Sequence, residues 1–287
     1  MSCSGGLEGG RVVIAACMKW VDRRPDVDPL TGDVHTDVRT SGASDADQAA
    51  LEWALRLGDV WNVDVVALCA GPADADAMLR DAVAAGAGRA IRVDIETSAP
   101  SEHVAASIHS SLPDEVSVVV CGAWSIDRGS GSVPAFLAAW LDAAQALGLV
   151  NLSFDASQPK MVEAERRLDR GRRERLRVTA PAVLSVEGGS ARLRRATLDN
   201  VLAARSIDVE VRDADRRVVP AVAPIRSAPF RPRPRVLPAP SSELNVRERI
   251  LSLSGALVDR EPPRLVRLDP PAGADELLAQ LQAWGCL

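Results

Sequence analysis

Val12-Val-Ile-Ala-Ala-Cys17 is the first of three short apolar runs that decide the fold. The other two are Val63-Asp-Val-Val-Ala-Leu-Cys69 and Val116-Ser-Val-Val-Val-Cys121. Each run is rich in β-branched residues and is followed by polar or turn residues, a pattern typical of strands buried on both faces of a parallel sheet. A shorter run, Ala90-Ile-Arg-Val-Asp94, predicts a fourth strand that could lie at the edge of the sheet.

Four predicted helices alternate with these strands. The first starts at a cap provided by Asp45 or Asp47 and runs to about Leu57, and Gly86 is placed to stop the second. Strands that alternate with helices of this length predict βαβ units, and therefore an α/β fold with a doubly wound, mostly parallel sheet. The helices are predicted over residues 45–57, 74–85, 101–112 and 133–147, with Gly148 after the last.

The pattern changes after residue 150. Leu152-Ser-Phe154, the segment 166–178 and Ala182-Val-Leu-Ser-Val186 predict antiparallel hairpins added to the sheet. Seven prolines between residues 220 and 240 indicate a linker or extended arm rather than a core element. The sequence therefore predicts a flexible N-terminus at 1–10, an α/β core with a hairpin extension at 11–205, and a C-terminal arm at 206–287 with short helices near 242–254 and 274–284.

Composition excludes several classes of function. The 287 residues carry a net charge of only -5, and aromatic residues make up 3%, so neither bulk charge nor ring stacking favours nucleic-acid binding. No apolar run reaches the roughly 18 residues that a membrane span requires. The five cysteines are widely spaced and form no CxxC pair, which argues against a zinc site or a disulfide framework. We therefore expect a cytoplasmic protein from a reducing compartment.

Three of the cysteines, Cys17, Cys69 and Cys121, fall at the carboxyl ends of predicted strands. That edge of an open α/β sheet is where ligands bind. A cysteine at such a position is nevertheless more often a small buried hydrophobe than a redox or metal-binding group.

The connection Cys121-Gly-Ala-Trp-Ser-Ile-Asp-Arg-Gly-Ser-Gly-Ser-Val-Pro134 joins a predicted strand to a predicted helix. Gly129 and Gly131 would let a ligand approach the backbone closely, and the N–H groups of residues 130–133 could cradle a phosphate at the start of the helix. Arg128 could add a cation. The alternative is a solvated strand–helix connection, because the loop is neither a Walker A loop nor a GxGxxG motif.

Catalytic constellations are missing from the sequence. It contains no GxSxG elbow, no HExxH motif and no kinase motif set. The three histidines, His35, His103 and His109, stand beside no obvious nucleophile, and no spacing indicates metal ligands. The residues by themselves therefore indicate no catalytic group and no metal-binding group.

Motifs along nearly the whole chain resemble those of the electron transfer flavoprotein β subunit. The most characteristic are Arg166-Arg-Leu-Asp-Arg-Gly171 and Pro181-Ala-Val-Leu-Ser-Val186. The others are Met18-Lys-Trp-Val-Asp22, Asp28-Pro-Leu-Thr-Gly32, Asp47-Gln-Ala-Ala-Leu-Glu-Trp-Ala-Leu-Arg-Leu57, Gly71-Pro72, Leu79-Arg-Asp-Ala82, Gly86-Ala-Gly-Arg-Ala90, Cys121-Gly-Ala-Trp-Ser-Ile-Asp127, Arg194-Arg-Ala-Thr-Leu198 and Pro262-Pro-Arg-Leu-Val-Arg267.

The resemblance implies a heterodimer and, for this chain, the HUP-like adenine-nucleotide-binding fold of that family. An α subunit would hold the redox-active FAD, and this chain would bind AMP, or a second FAD as in electron-bifurcating members. The pair would take electrons from flavin dehydrogenases and pass them to a downstream acceptor, so this chain would be an electron carrier subunit without catalytic residues of its own and not an enzyme. The implied nucleotide contacts are Cys17, Ser44, Asp45, Ala46, Asp47, Ala70, Gly122, Ala123, Trp124, Ser125, Ile126, Asp127, Arg128, Gly129, Ser130, Gly131, Ser132 and Val133.

The resemblance also implies a recognition loop for the flavin dehydrogenase, in which Leu198 inserts into a pocket of the partner. The loop consists of Arg194, Arg195, Ala196, Thr197 and Leu198. Departures from the family pattern, such as Ala123-Trp124 in place of a basic residue and a glutamine, indicate a divergent branch; one hypothesis is an actinobacterial branch linked to mycofactocin redox systems. Two alternatives stay open: a stand-alone adenine-nucleotide-binding module like the stress proteins, and a β subunit that has lost its nucleotide and is purely structural.

Overall fold

The computed structural model describes residues 12–158, 160–215, 239–254 and 265–284. The chain divides into two compact units, residues 1–229 and 230–287. The predicted flexible N-terminus and the prolines from 220 to 238 lie outside the described residues. The domain boundary expected near residue 205 stays a prediction.

Thirteen strands and seven α-helices lie in the described residues. The strands are β1 (Val13–Met18), β2 (Trp20–Asp22), β3 (Asp26–Val27), β4 (Val34–His35), β5 (Ser41–Ala43), β6 (Asp64–Gly71), β7 (Arg89–Asp94), β8 (Val116–Gly122), β9 (Ala144–Phe154), β10 (Met161–Arg167), β11 (Arg173–Thr179), β12 (Ala182–Val186) and β13 (Glu210–Asp213). The helices are α1 (Asp45–Trp61), α2 (Asp76–Ala85), α3 (Ser101–Ser111), α4 (Val133–Trp140), α5 (Leu198–Ala204), and, in the second unit, α6 (Val246–Ser254) and α7 (Pro270–Ala283).

Nine of these strands form one sheet in the order β11-β10-β9-β12-β8-β1-β6-β7-β13. In the part of the sheet that runs β9-β12-β8-β1-β6-β7-β13, every pair of neighbouring strands is parallel. The strand β10, in contrast, pairs antiparallel with both β9 and β11. Two short antiparallel pairs, β2–β5 and β3–β4, stand outside this sheet.

Helices cover both faces of the sheet. Buried residues of α1 and α2, such as Leu51 and Leu79, belong to the core on one face. Those of α3 and α4, such as Ile108 and Leu137, belong to the core on the other. Because the unbroken apolar strands need cover on both sides, this is the doubly wound α/β arrangement that their composition predicts.

The predicted α3 is confirmed, and Gly86 ends α2 with a φ of 128°. The first helix runs further than expected, to Trp61, and Asn62 then closes it in the left-handed conformation. Gly58 does not stop α1; it allows close packing, because a Cβ there would lie 2.6 Å from a methyl group of Val65.

The prediction of a helix over 133–147 is wrong in its second half. The helix α4 ends at Trp140, Asp142 takes a φ of 47°, and the strand β9 begins at Ala144. The alanines and leucines of this stretch are compatible with a helix or with a strand. The residues form a strand because they pair with β12. Gly148 is therefore not a helix stop: it has a φ of 69° inside β9, near a break in the register with β12.

Two further strand predictions need correction. The strand β12 was expected to belong to an antiparallel hairpin, but it lies between β8 and β9 and pairs parallel with both. Its five residues are all buried, which fits a central strand. The strand β7 is not an edge, since β13, from the segment assigned to the arm, pairs with it. The antiparallel hairpins are confirmed for β9, β10 and β11.

Candidate functional site

A cleft opens at the carboxyl ends of β1 and β8, where the order of the strands reverses. The strands β6 and β7 extend the sheet on one side of β1, and the chain then crosses through α3 to place β8 on the other side. Crossovers that leave in opposite directions create a crevice at such a point, which is the usual ligand site of an open α/β sheet. The cleft contains about 850 Å³ of empty space, part of it open to solvent.

Gly131 shapes the loop that forms one wall of the cleft. Its φ is 57°, and a Cβ atom there would lie 2.5 Å from the carbonyl oxygen of Ala123. Gly129 has a φ of 64° and donates its N–H to the Ser125 oxygen at 2.8 Å. The base of the loop is tied to the sheet by the Ala123 N–H, which donates to the Val186 oxygen at 2.9 Å. The loop is therefore built around backbone positions that favour glycine.

The N–H groups of residues 130–133 donate to no residue that the structure describes. They directly precede α4, whose first turn contains Pro134. Unpaired N–H groups and the helix dipole together favour an anion at this place. The Ser130 and Ser132 hydroxyl oxygens, 3.1 Å apart, add two further groups that can hydrogen-bond to an anion.

Arg128 holds two loops together beside these N–H groups. Its Nη1 donates to the Ala99 oxygen at 2.6 Å, and its Nη2 donates to the Thr97 oxygen at 2.9 Å. Both acceptors are neutral, and no ion pair joins Arg128 to a carboxylate of the described residues. The guanidinium therefore positions the wall and still brings positive charge to the cleft.

Lys19 is a second cation at the cleft. Its Nζ lies 2.6 Å and 2.5 Å from the two carboxylate oxygens of Asp127 and 3.4 Å from the Ser125 hydroxyl. Burial raises the pKa of Asp127, but the hydrogen bonds from Lys19 and Ser125 outweigh it and bring that pKa below its ordinary value. Asp127, expected among the nucleotide contacts, thus faces Lys19.

Asp47 lies at the cleft beside the first turn of α1. Its Oδ2 accepts the Ser44 hydroxyl at 2.6 Å and the Ser44 N–H at 3.2 Å, while Ser44 Oγ accepts the Asp47 N–H. This is a capping box, which the Asp45-or-Asp47 cap prediction placed one to three residues late. Burial raises the pKa of Asp47 to about 6. Gly122 lets this turn approach β8, because a Cβ there would lie 3.1 Å from Asp47 Oδ1.

The cysteines divide between the two faces of the sheet. Cys17 and Cys121 line the cleft and belong to the core under α3 and α4. Cys69 belongs to the core on the opposite face, under α1 and α2, and does not line the cleft. All three are free and buried.

Most of the expected nucleotide contacts converge on this cleft. Those that line it are Cys17, Asp47, Ala70, Gly122, Trp124, Ser125, Arg128, Ser130, Gly131, Ser132 and Val133. The others, which stand behind or beside the lining, are Ser44, Asp45, Ala46, Ala123, Ile126, Asp127 and Gly129.

Sequence reasoning missed two parts of the lining. Lys19 and Trp20 follow β1 directly, and Thr97, Ala99 and Ser101 come from the connection between β7 and α3. Both segments follow the carboxyl end of a predicted strand, and that position could have identified them. We applied this criterion to the loop after β8 but not to these two segments. Further lining residues that were missed are Met18, Glu96, Val104, Ile108 and Pro134.

The segment expected to dock a partner, residues 194–198, is attached to α1 through its first residue, Arg194. The Nε and the backbone N–H of Arg194 both donate to Glu52 Oε2 at 3.0 Å, and its Nη1 lies 2.9 Å from Asp59 Oδ2. Thr197 caps α5, accepting the Asn200 N–H. At the start of that helix Leu198 is 72% exposed. Arg195 is exposed too, while Ala196 is partly buried.

The described residues contain neither a candidate membrane span nor a candidate metal cluster. None of their helices has the length and apolarity needed to cross a bilayer. Among the same residues, no three His, Cys, Asp or Glu side chains come together as a metal ion would require.

Comparison with known proteins agrees with the resemblance. Residues 34–216 match the family model for the electron transfer flavoprotein domain. FixA of Rhizobium meliloti (strain 1021) is 30% identical over 235 residues, which are 75% of this chain and 78% of FixA. The electron transfer flavoprotein subunits beta of Sus scrofa and Homo sapiens are 30% and 29% identical, each over 57% of this chain and 65% of its own length. The chain therefore belongs to the electron transfer flavoprotein family, as a protein similar to its beta subunits and to FixA.

Proposed function

We propose that this chain is the nucleotide-binding β subunit of an electron transfer flavoprotein, and that its cleft holds AMP or the adenylate part of a second FAD. The observation that carries this proposal is the row of N–H groups at 130–133, which donate to no described residue and belong to residues that line a cleft at the strand-order reversal. A phosphate there would receive backbone hydrogen bonds and the favourable dipole of α4.

The residues present fit such a nucleotide. Gly131 permits the tight packing of this loop, because a Cβ there would lie 2.5 Å from the Ala123 carbonyl oxygen, and Lys19 and Arg128 bring positive charge for a phosphate. Val104, Ile108 and Trp124 offer apolar surface to a purine ring. An apolar pocket with a few directed polar groups is typical of cofactor sites.

The second part of the proposal is that this chain works as a scaffold within an electron carrier. A partner α subunit holds the redox-active FAD, which supplies the electron transfer, and this chain contributes binding and orientation rather than catalytic side chains. The support is membership of the family and the names of the relatives, which are FixA and electron transfer flavoprotein subunits beta. We further propose a cytoplasmic location, with electrons coming from flavin dehydrogenases.

The test is to coexpress the chain with a candidate α subunit, purify the complex, release its small molecules by heat and identify them by mass spectrometry. We expect a stable heterodimer with a flavin spectrum and one adenine nucleotide per β chain. A heterodimer without that nucleotide would identify a purely structural subunit. A chain that binds AMP tightly as a monomer and forms no complex would instead be a stand-alone nucleotide-binding module.

A further inference from the structure

We propose that Cys17 and Cys121 form a reversible disulfide at the floor of the cleft, so that the open cleft is a site of thiol oxidation. The two residues are direct partners in the parallel register of β1 and β8. Both line the cleft, and both belong to the core on the same face of the sheet. The two side chains therefore project side by side toward the same cavity.

The spacing of neighbouring strands permits this bond. Register partners on adjacent strands stand about 4.7–4.9 Å apart at Cα, within the range of about 4.4–6.8 Å that disulfides span. Because a disulfide also requires its two Cβ atoms to lie about 3.5–4.5 Å apart, the two strands must close by roughly a few tenths of an ångström to accommodate the bond.

The surroundings of Cys121 slow the reaction of its thiol. Contact with Cys17 and burial raise the pKa of the Cys121 thiol well above its ordinary value, and the nearby Asp47 acts in the same direction. Because the thiolate is the reactive form, only a small fraction of the Cys121 side chains is reactive at any moment at neutral pH. Oxidation is expected to need sustained exposure rather than a brief pulse.

Peroxide is the class of oxidant that completes the chemistry. The sulfur of one thiol attacks hydrogen peroxide, the O–O bond breaks, and a sulfenic acid and one water form. The second thiol then attacks the sulfenic sulfur, an S–S bond replaces the S–O bond, and a second water leaves. The two thiols lose two electrons in total, and a small dithiol returns them.

Cys69 provides the internal comparison. It is equally free and buried, and β1 pairs with its strand as well, with Met18 as its register partner. It belongs to the core on the opposite face and does not line the cleft. Peroxide that enters the cleft should therefore leave Cys69 reduced.

The experiment treats the purified full-length chain with hydrogen peroxide, alkylates the remaining thiols, and digests it with trypsin without reduction. Cleavage after Arg11 and Lys19, and after Arg92 and Arg128, leaves Cys17 and Cys121 as the single cysteine of each peptide. We expect the two peptides to be joined and to separate after treatment with dithiothreitol. Both cysteines remaining alkylated as monomeric peptides, or pairing at random with other cysteines, would overturn the proposal.

Three variants make the result specific. In Cys17→Ser or Cys121→Ser the remaining cleft cysteine has no partner, so we expect a sulfenic or higher oxide there in place of the crosslink. Cys69→Ser should crosslink at the wild-type rate. Equal protection of all three positions from oxidation would contradict the assignment, and the wild-type crosslink gives an answer even if a variant folds poorly.

A final arm adds AMP and rests on the proposed function. At AMP concentrations ten times its dissociation constant, crosslinking should slow roughly tenfold, because the open fraction falls in proportion. If the disulfide forms but AMP neither binds nor protects, the proposed nucleotide site fails and the disulfide assignment stands. If AMP binds and peroxide produces no crosslink without it, the disulfide assignment alone fails.

Discussion

At the scale of single residues, the cleft depends on places where a side chain is absent. Gly131 combines a positive φ with a backbone oxygen 2.5 Å from where its Cβ would stand. Gly122 removes a side chain that would press on the first turn of α1. Asp47 is the opposite case, a carboxyl group that burial has brought to a pKa of about 6. Gly131 and Asp47 each lead to a measurable prediction.

Gly131→Ala should weaken nucleotide binding at least about tenfold and lower the free energy of unfolding by about 1–2 kcal/mol, since a left-handed residue with a Cβ is strained and the loop must shift. Calorimetric titration with AMP and urea unfolding measure the two effects. Gly189→Ala is the matched control, because its Cβ would meet open space and its φ is not in the left-handed range. Equal affinities for the two variants would contradict the role given to the loop.

Asp47 should make stability depend on pH. Its folded pKa of about 6 exceeds the ordinary 3.8, so between these values the folded state binds more protons than the unfolded state. The resulting stabilisation is complete below about pH 3.8 and is lost as the pH rises through 6, by about 3 kcal/mol at most.

Asp47→Asn should remove this dependence. As the pH rises from 4 to 7, the free energy of unfolding of the wild type should therefore fall relative to that of the variant. Urea unfolding at several pH values measures it. Asp45→Asn, which removes an exposed carboxylate from the same turn, serves as the control. Parallel pH profiles for wild type and Asp47→Asn would contradict the prediction.

At the scale of elements, α1 organises both the cleft and the segment that leads to α5. Its capping box joins Ser44 to Asp47, and further along the helix the side chain of Glu52 is 5% exposed and accepts from Arg56 and Arg194. Although burial raises the pKa of Glu52, the hydrogen bonds from Arg194 and Arg56 bring it below its ordinary value. Glu52 therefore stabilises the fold above about pH 4.5, and this contribution is lost as the pH falls.

Glu52→Ala should lower the free energy of unfolding by about 1–2 kcal/mol, because it removes the buried carboxylate that Arg56 and Arg194 share, while Arg194 keeps its ion pair with Asp59. It should also increase hydrogen exchange in residues 192–198. Glu163→Ala is the control: its partner Arg177 is mostly exposed, so the loss should stay within about 0.5 kcal/mol. A Glu52→Ala protein as stable as this control would show that the cluster is not important for the fold.

At the scale of the whole molecule, the crossover through α3 decides which loops meet. It brings the chain after β1, the connection between β7 and α3, and the loop after β8 to one edge of the sheet. The same α/β unit presents α5 with Leu198 and Leu202 one turn apart, both more than half exposed. A small exposed apolar pair on a surface helix suits transient docking better than a permanent interface.

Under the proposed function, Leu198→Ala should slow electron transfer from a flavin dehydrogenase to the heterodimer several-fold, while the free energy of unfolding changes by less than about 0.5 kcal/mol. Stopped-flow reduction of the flavin with varied dehydrogenase concentration measures the effect, which should appear as weaker binding rather than as a lower limiting rate. Leu30→Ala removes a leucine that is 88% exposed and should leave both quantities unchanged. An unchanged reduction rate in Leu198→Ala would remove this segment from the docking site.

The local pattern of the sequence was sufficient for the elements whose burial it encodes. The runs ending at Cys17, Cys69 and Cys121 are buried parallel strands, and the glycine-containing loop after β8 forms a wall of the cleft. Family motifs added Asp47 and Ala70 to the lining, whereas the residues after β1 and those between β7 and α3 were missed. These features are local because an unbroken apolar strand and a glycine with positive φ are properties of a few consecutive residues.

Only the tertiary structure decided the rest. Ala144–Phe154 is a strand because it pairs with β12. The strand β12 is a central parallel strand because it also pairs with the edge of β8 that β1 leaves open. Pairing of Lys19 with Asp127, of Arg194 with Glu52 and of Cys17 with Cys121 joins residues about a hundred or more positions apart. Such contacts depend on the order of the strands, and the apolar periodicity of a segment records how deeply it is buried but not which segment lies next to it.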